Sequence, residues 1–294
     1  MKSLGIDLGG HFLKGALVEE GAIAKRQKIS TPRGRDPEEI VAAISAMIQK
    51  LDAEGSAVSV GIGFPGMLDR TRETVLQAPN FPLLENYPFR TRTQETCRRK
   101  VLIENDANCA ALGELACGGA RGLSDFIMLT LGTGIGGGIV SGGHLFTGAH
   151  GKAGEMGHVP VGEEALCACG APGHAEALFG ADALKKAFAE AGIKGGIPDL
   201  WLRRGEPGVT KVWDLALDAL ARAIAAAVHI LDPQAVILGG GLSRSSGLLE
   251  TLRPLVLRHT APPFRETLDL RLSLLGDDAA LIGAAGLGKT IRMT

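Results

Sequence analysis

The chain has 294 residues and a mass of 30.5 kDa, enough for one large domain or two ordinary ones. Apolar residues make up 45% and charged residues 21%, so a full core can be buried without disulfide staples. Lys and Arg number 31 against 32 Asp and Glu, and aromatics are 4%; neither the basic excess nor the stacking platforms of a nucleic-acid binder are present. Basic runs such as Arg98-Arg99-Lys100 read as solvated faces. No apolar run reaches the roughly 18 residues of a membrane span. The most apolar stretch, 212–231, is broken by Asp214, Asp218, Arg222 and His229. The N-terminal MKSLGIDLGG carries an acid at position 7 and no long apolar core, which argues against a signal peptide. Five cysteines without framework spacing suit a reduced cytoplasm, with no membrane or nucleic-acid partner expected.

Hydrophobic pattern and punctuation then predict alternating strands and helices. Leu4 to Leu8 reads as a strand, turned by Gly9-Gly10, with Phe12 to Val18 returning as its partner. Asp36-Pro37-Glu38-Glu39 opens a helix with an N-cap, a first-position proline and first-turn acids. Ile40, Ile44 and Met47 give that helix its apolar face, and Gly55 is the expected stop. Strands follow at Val58 to Ile62 and Val101 to Ile103, then a helix from about Ala107 to Cys117 with Gly118-Gly119 behind it. Phe126 to Leu131 is a further strand. Gly142-Gly143, flanked by Ile139-Val140 and by His144 to Phe146, signals a hairpin. Helices are expected at about Ala183 to Ala191 and Val212 to Leu231, and a strand at Ala235 to Leu238 ends in Gly239-Gly240-Gly241. The alternation indicates α/β architecture. Asp7-Leu8-Gly9-Gly10 and Thr130-Leu131-Gly132-Thr133 echo each other, each ending a strand before a second β-like run. Two related halves, each opening with a Gly-tipped hairpin, would produce that echo.

Two short motifs mislead. Gly283 to Thr290 matches the P-loop expression, but only four residues follow, leaving no long helix and no downstream strand for a metal-binding acid. Ala279 to Gly288 reads instead as a terminal helix of small residues. Gly132 to Gly137 matches the dinucleotide fingerprint, yet β and turn residues follow where a helix should open. Three Gly-rich turns remain, each ending a predicted strand. Glycine lets backbone N–H groups converge on an anion, and three such turns together suggest phosphate held at several points.

The ordered motifs D-L-G-G (7–10), G-F-P-G (63–66), A-P-N (78–80), E-N-D-A-N (104–108), L-G-T-G-I-G-G-G (131–138), G-E-M-G-H (154–158), C-A-C-G-x-x-G (167–173), L-G-G-G-L (238–242) and D-D-A-A-L-I-G-A-A (277–285) run nearly the whole chain. The set resembles the ROK family of sugar kinases and sugar-responsive repressors. That resemblance implies an α/β, two-domain actin-like (ribonuclease H-like) ATPase fold with a cleft between the domains. The first domain would span 1–112 plus a terminal helix at about 280–294, and the second 113–279. It implies ATP with Mg²⁺, a sugar, and a homodimer or homotetramer. Repressor members carry an N-terminal helix-turn-helix, whereas this sequence starts at the first strand, as the kinases do.

Phosphorylating a sugar needs a positioned hydroxyl and an acceptor for its proton. Asp106 follows a strand and precedes a helix, the edge where open α/β sheets bind ligands; alternatively it caps that helix. The resemblance makes Asp106 the catalytic base and gives Asn80, Asn105, Glu155, His158 and Glu176 as sugar ligands. It places Asp7 near Mg²⁺, with Gly9, Gly10, Gly132, Thr133, Gly134, Gly240 and Gly241 at the phosphates. Lys14 would add charge there or remain an exposed strand lysine. The family usually has Thr-Lys where this chain has His11-Phe12. His11 can still donate to phosphate, but its charge changes near neutral pH, so ATP affinity is expected to vary between about pH 6 and 8. After Asn80, Phe81-Pro82-Leu83-Leu84 replaces the Gly-Trp common in glucokinases.

His158, Cys167, Cys169 and His174 form a further group. The i, i+2 cysteines point one way on an extended segment, and Gly170 and Gly173 allow a return to His174. The set suits tetrahedral structural zinc, although the family normally has a third Cys at position 174. Zinc would fix His158 through one ring nitrogen and leave the other for the sugar. The expected reaction is ATP-dependent conversion of a hexose, glucose first, to its 6-phosphate. N-acetylmannosamine, N-acetylglucosamine and fructose are alternative substrates. A catalytically silent sugar sensor and an actin-like ATPase are alternative classes.

Overall fold

A computed structural model of the protein describes residues 1–162 and 164–290. Its elements begin with strands β1 (Lys2–Leu8), β2 (Phe12–Glu19) and β3 (Ala22–Ser30), helix α1 (Pro37–Leu51), and strands β4 (Val60–Phe64), β5 (Met67–Leu68) and β6 (Val75–Gln77). Helix α2 (Phe89–Cys97), strand β7 (Val101–Asn105), helix α3 (Asp106–Cys117) and strands β8 (Phe126–Leu131), β9 (Ile135–Ser141) and β10 (His144–Leu145) follow. Helices α4 (Ala181–Glu190), α5 (Ile197–Leu202) and α6 (Pro207–Leu231) precede strand β11 (Ala235–Gly239). Helices α7 (Leu248–His259) and α8 (Pro262–Arg265), strand β12 (Leu270–Leu272) and helix α9 (Ala279–Thr290) complete the described chain. None of these helices is long and apolar enough to cross a membrane.

The chain divides into two compact units. Among the described residues, one holds 1–123, 138–154 and 273–290; the other holds 124–137 and 155–272. The division expected at Leu112 differs because α3 continues unbroken to Cys117 and belongs with α9. Residues 138–154 and 273–279 also move to the first unit, and positions 291–294 of the expected terminal helix lie outside the described residues.

In the first unit the sheet order is β3-β2-β1-β4-β7. The hairpin strands pair antiparallel, while β1, β4 and β7 run parallel. Both faces of β1 and β4 are buried, which is why they read as continuous apolar runs. Ile40, Ile44, Met47 and Ile48 of α1 cover one face. Helix α9 lies against the other at backbone distance. A β-carbon added to Gly61 would stand 1.8 Å from the Ala284 carbonyl oxygen, and one on Gly283 would stand 1.7 Å from that of Cys109. The glycines that spell a P-loop are therefore the contact surface of a packed helix.

The second sheet repeats the scheme. β8 is flanked on one side by parallel β11 and then β12, and on the other by β9. The order β10-β9-β8-β11-β12 matches that of the first sheet, so the echo between Asp7 and Thr130 reflects two halves of like topology. Trp201 and Trp213 stack edge-on at 5.0 Å between centroids and, with Phe188, fill the core under α5 and α6.

Several boundaries differ from expectation. Helix α1 stops at Leu51 rather than Gly55, because the Asp52 carboxylate accepts the N–H groups of Ser56 and Ala57 and turns the chain. Strand β4 starts at Val60, while α4 and α6 start earlier than expected, at Ala181 and Pro207. Arg99 of the supposed solvated run donates to Asp52, whose side chain is 2% exposed. Burial alone would push the Asp52 carboxyl up. Hydrogen bonds from Ala57, Arg99 and Ser56 outweigh it and hold the group well below the usual carboxylate range.

A group depressed in this way stabilises the fold above its unfolded pKa of about 4 and loses that contribution as pH falls toward the folded value. Asp52→Asn is expected to cost about 3 kcal/mol at pH 7, because it leaves Arg99 buried without its counter-charge. Urea midpoints of both proteins should converge as pH drops below about 4; a gap unchanged down to pH 3 would refute the assignment.

Candidate active site and metal centre

The parallel strands of the first sheet all end at one edge, and the candidate residues of the first unit collect there. Asp7 of β1 is in register with Gly63 of β4, and Gly63 with Glu104 of β7. Asp106 follows directly as the first residue of α3. The N-cap of that helix is Asn105, whose side-chain oxygen accepts the N–H groups of Ala107 and Asn108 at 2.9 and 3.1 Å. Asn105 is thus the N-cap, and its amide also donates to the Gly66 carbonyl at 3.2 Å; Asp106 Oδ1 shares the Ala107 N–H, at 2.8 Å. Gly63, without a side chain, leaves room beside Asp106, since an added β-carbon would lie 3.5 Å from the Asp106 Cα.

Two residues that sequence reasoning missed fix this corner. The Glu104 carboxylate is buried. It accepts from Arg72 Nε at 2.8 Å, from the Asn105 N–H at 2.9 Å and from Asn108 Nδ2 at 3.0 Å. Arg72 sits at φ +60 and donates onward to the carbonyls of Asp69 and Gly151. Glu104 stood inside a motif that had been noticed, whereas nothing local marks Arg72.

Lys14 is not an exposed strand lysine. Hairpin register sets it opposite Asp7, and its ammonium lies 2.9 Å from Asp7 Oδ2. Burial opposes the Lys14 charge, yet Asp7, with Asp277 and Asp278 behind it, holds its pKa above the ordinary lysine value. One Asp7 oxygen is therefore engaged by Lys14. Gly9, Gly10 and the exposed His11 form the hairpin turn, and the Asn80 side chain stands next to Gly10.

The second unit gathers the remaining candidates. A β-carbon on Gly240 (φ +84) would lie 2.5 Å from the Leu131 carbonyl oxygen, so the Gly239–Gly241 turn adjoins the Gly132-Thr133-Gly134 turn. The carbonyls of Gly132 and Thr133 accept from the first N–H groups of α4, at 2.9 and 3.3 Å. Glu176 is not a solvated helix start: it accepts the Ile135 N–H at 2.7 Å and packs on Gly134 and Gly157. Burial raises the Glu155 carboxyl above its ordinary value, and the neighbouring Glu176 charge adds to the effect.

The donor atoms of His158, Cys167, Cys169 and His174 lie within 4.8 Å of one another. His158 Nδ1 is 3.2 Å from His174 Nδ1, Cys169 Sγ is 3.2 Å from His174 Nδ1, and Cys167 Sγ is 3.8 Å from His158 Nδ1. Zn–N bonds of about 2.0 Å and Zn–S bonds of about 2.3 Å put tetrahedral ligands about 3.3–3.8 Å apart, close to these three separations, so the donor set is of the kind that suits zinc. His158 turns its other nitrogen, Nε2, toward Glu155 Oε2 at 3.9 Å.

Two sheets of matched strand order, each opening on a Gly-tipped hairpin, define the actin-like ATPase fold. A solved ROK family glucokinase from Streptomyces griseus, in complex with glucose and AMPPNP, superposes with a TM-score of 0.86 at 32% identity, covering 98% of this chain and 99% of that one. A glucokinase of Thermotoga maritima is 37% identical over 98% of both chains. An N-acetylmannosamine kinase of Haemophilus influenzae is 30% identical over 97% of this chain and 94% of its own. The ROK family pattern matches residues 3–291, and the chain belongs to the ROK family.

Proposed function

We propose that this protein transfers the γ-phosphoryl group of ATP to the 6-hydroxyl of a hexose, with glucose as the first candidate. It is an ATP-dependent sugar kinase. The observation that most supports the finer reading is the place of Asp106: it starts α3 at the carboxyl end of a parallel strand, where Asn105 is the N-cap and Asp106 Oδ1 accepts the adjacent Ala107 N–H. A carboxylate there accepts the sugar hydroxyl proton while the oxygen attacks phosphorus in line and ADP leaves. Glu104 and Arg72 keep the strand end from shifting beneath it.

Asn80, Glu155 and His158 serve as ligands of the sugar hydroxyls, since amides, carboxylates and imidazoles pair with them directly. Asn105 and Glu176, already bonded to backbone groups, contribute mainly by shaping the site. The amides of the Gly9–His11, Gly132–Gly134 and Gly240–Gly241 turns, with Lys14, bind phosphate, and Asp7 holds Mg²⁺ through water. His158, Cys167, Cys169 and His174 hold zinc, which cross-links the segment and does no bond-making chemistry. The expected assembly is a homodimer or homotetramer working in the cytoplasm.

The Phe81-Pro82 stretch after Asn80, where glucokinases commonly have Gly-Trp, favours a second reading: an amino sugar such as N-acetylmannosamine as substrate. ADP release measured over a panel of hexoses and N-acetylated amino sugars decides between them. One sugar is expected to exceed the others by at least tenfold in kcat/KM. A wild-type protein inert toward the whole panel would favour the silent-sensor class instead.

A further inference from the structure

The turn after β1 is held by its own carbonyls. Thr31 Oγ1 donates to the Gly9 carbonyl at 2.6 Å, and the Thr31 N–H to that of His11 at 3.0 Å. Arg35 Nη2 reaches the Gly10 carbonyl at 3.5 Å. In a trans peptide the N–H points opposite the C=O. Drawing the Gly9 and Gly10 carbonyls toward 31–35 therefore turns the amides of Gly10 and His11 to the other side, the orientation an anion nest requires.

Arg35 does more than close that turn. Its Nη1 donates to the Asn80 carbonyl, and its guanidinium carbon lies 5.4 Å from the centroid of the Phe81 ring. It does so at φ +51, in the left-handed region that disfavours a β-carbon. The two places where this sequence departs from family habit, His11-Phe12 and Phe81-Pro82, adjoin the two carbonyls that Arg35 binds. A single fork thus spans the phosphate turn and the loop that presents Asn80.

We infer that Arg35 is a positioning residue that holds the Gly9–His11 turn and the Asn80 loop in one register, and so couples nucleotide affinity to sugar affinity. The identity of the two ligands rests on the sugar-kinase reading. The fork geometry matters: two carbonyls at fixed spacing suit a planar guanidinium, whereas a lysine ammonium could serve one at a time.

Arg35→Gly is the informative variant, because glycine accepts φ +51, so the side chain with its guanidinium is removed without adding backbone strain. Its melting temperature is expected to equal or exceed that of the wild type, while KM rises at least tenfold for both sugar and ATP and kcat changes less than threefold. Calorimetric titration with AMPPNP should lose most of the affinity gain that saturating sugar confers on the wild type. Arg35→Lys should fail to rescue either KM, and Arg33→Ala, an exposed neighbour in the same turn, should behave as wild type. Hydrogen exchange of the ligand-free protein supplies an arm that needs no substrate: exchange should quicken across 9–11 and 80–84 in Arg35→Gly alone. If no sugar is phosphorylated by the wild type, the kinase reading fails but this arm still decides. Unchanged exchange in those two segments, or both KM values within twofold of wild type, would overturn the inference.

Discussion

Asp106→Ala is expected to lower kcat by about three orders of magnitude, within the range that a positioned general base contributes. Sugar and AMPPNP should still bind within about threefold of wild type, because the proton acceptor acts as the transition state forms rather than in holding the ground state. The variant should also fold normally. Its helix keeps the Asn105 cap and loses a first-turn acid with its bond from the Ala107 N–H, a change of about 1 kcal/mol. Asn105→Ala makes the contrasting control: it removes the cap, costs about 1 kcal/mol of stability and leaves the base in place. Steady-state ADP release, with calorimetry for the two ligands, separates the cases. Turnover of Asp106→Ala within tenfold of wild type would remove Asp106 from the role of base.

The parts of the structure legible in the sequence are those that carry a local pattern. Strands β1, β4, β7, β8 and β11 are apolar runs because the sheets bury them, and α1 announces itself through Asp36, Pro37 and two first-turn acids. Strand β3 is not legible: it is an edge strand whose Lys25, Arg26 and Lys28 leave little of it buried. Helix α2, with its run of Arg and Thr, has only Phe89 and Thr93 buried and so shows no apolar stripe. Helix α7 hides behind Pro254, which sequence reading treats as a breaker.

The same division holds in the site. The glycine turns and the Cys–His set are short-range patterns, and the matching strand orders agree with the echo between the halves. Lys14 was open to two readings until the hairpin register placed it opposite Asp7. Arg35 and Arg72 act on carbonyls 25 and 79 positions away, at Gly10 and Gly151 respectively, and no local spacing encodes such a contact. Their one local trace is a left-handed backbone, which a sequence of arginines does not reveal.

Zinc removal should have the other large effect. The segment 160–174 has little apolar substance of its own: Val161 and Cys167 are buried, but Leu166 is 68% exposed, and among the described residues it is tied by isolated bridges (Pro160 to His174, Leu166 to Pro172) and turn hydrogen bonds such as Val161 N–H to the Gly173 carbonyl rather than by a helix or a strand ladder. Two imidazole Nδ1 atoms at 3.2 Å and two thiols beside them gain far more from a shared cation than from one another. Purified protein is therefore expected to contain about one zinc per chain, and prolonged treatment with a strong chelator to lower the melting temperature by at least 10 °C. Because His158 offers Nδ1 to the metal and Nε2 toward Glu155, the loss should reach the sugar as well. KM for the sugar should rise about 10- to 100-fold, the usual effect of releasing a group that a metal site orients, while KM for ATP moves little. Cys167→Ser should reproduce both changes. His174→Cys should keep zinc and activity, since either residue completes a tetrahedral set. Protein that is zinc-free by elemental analysis yet fully stable and active would show that the four side chains make a local cluster without a metal.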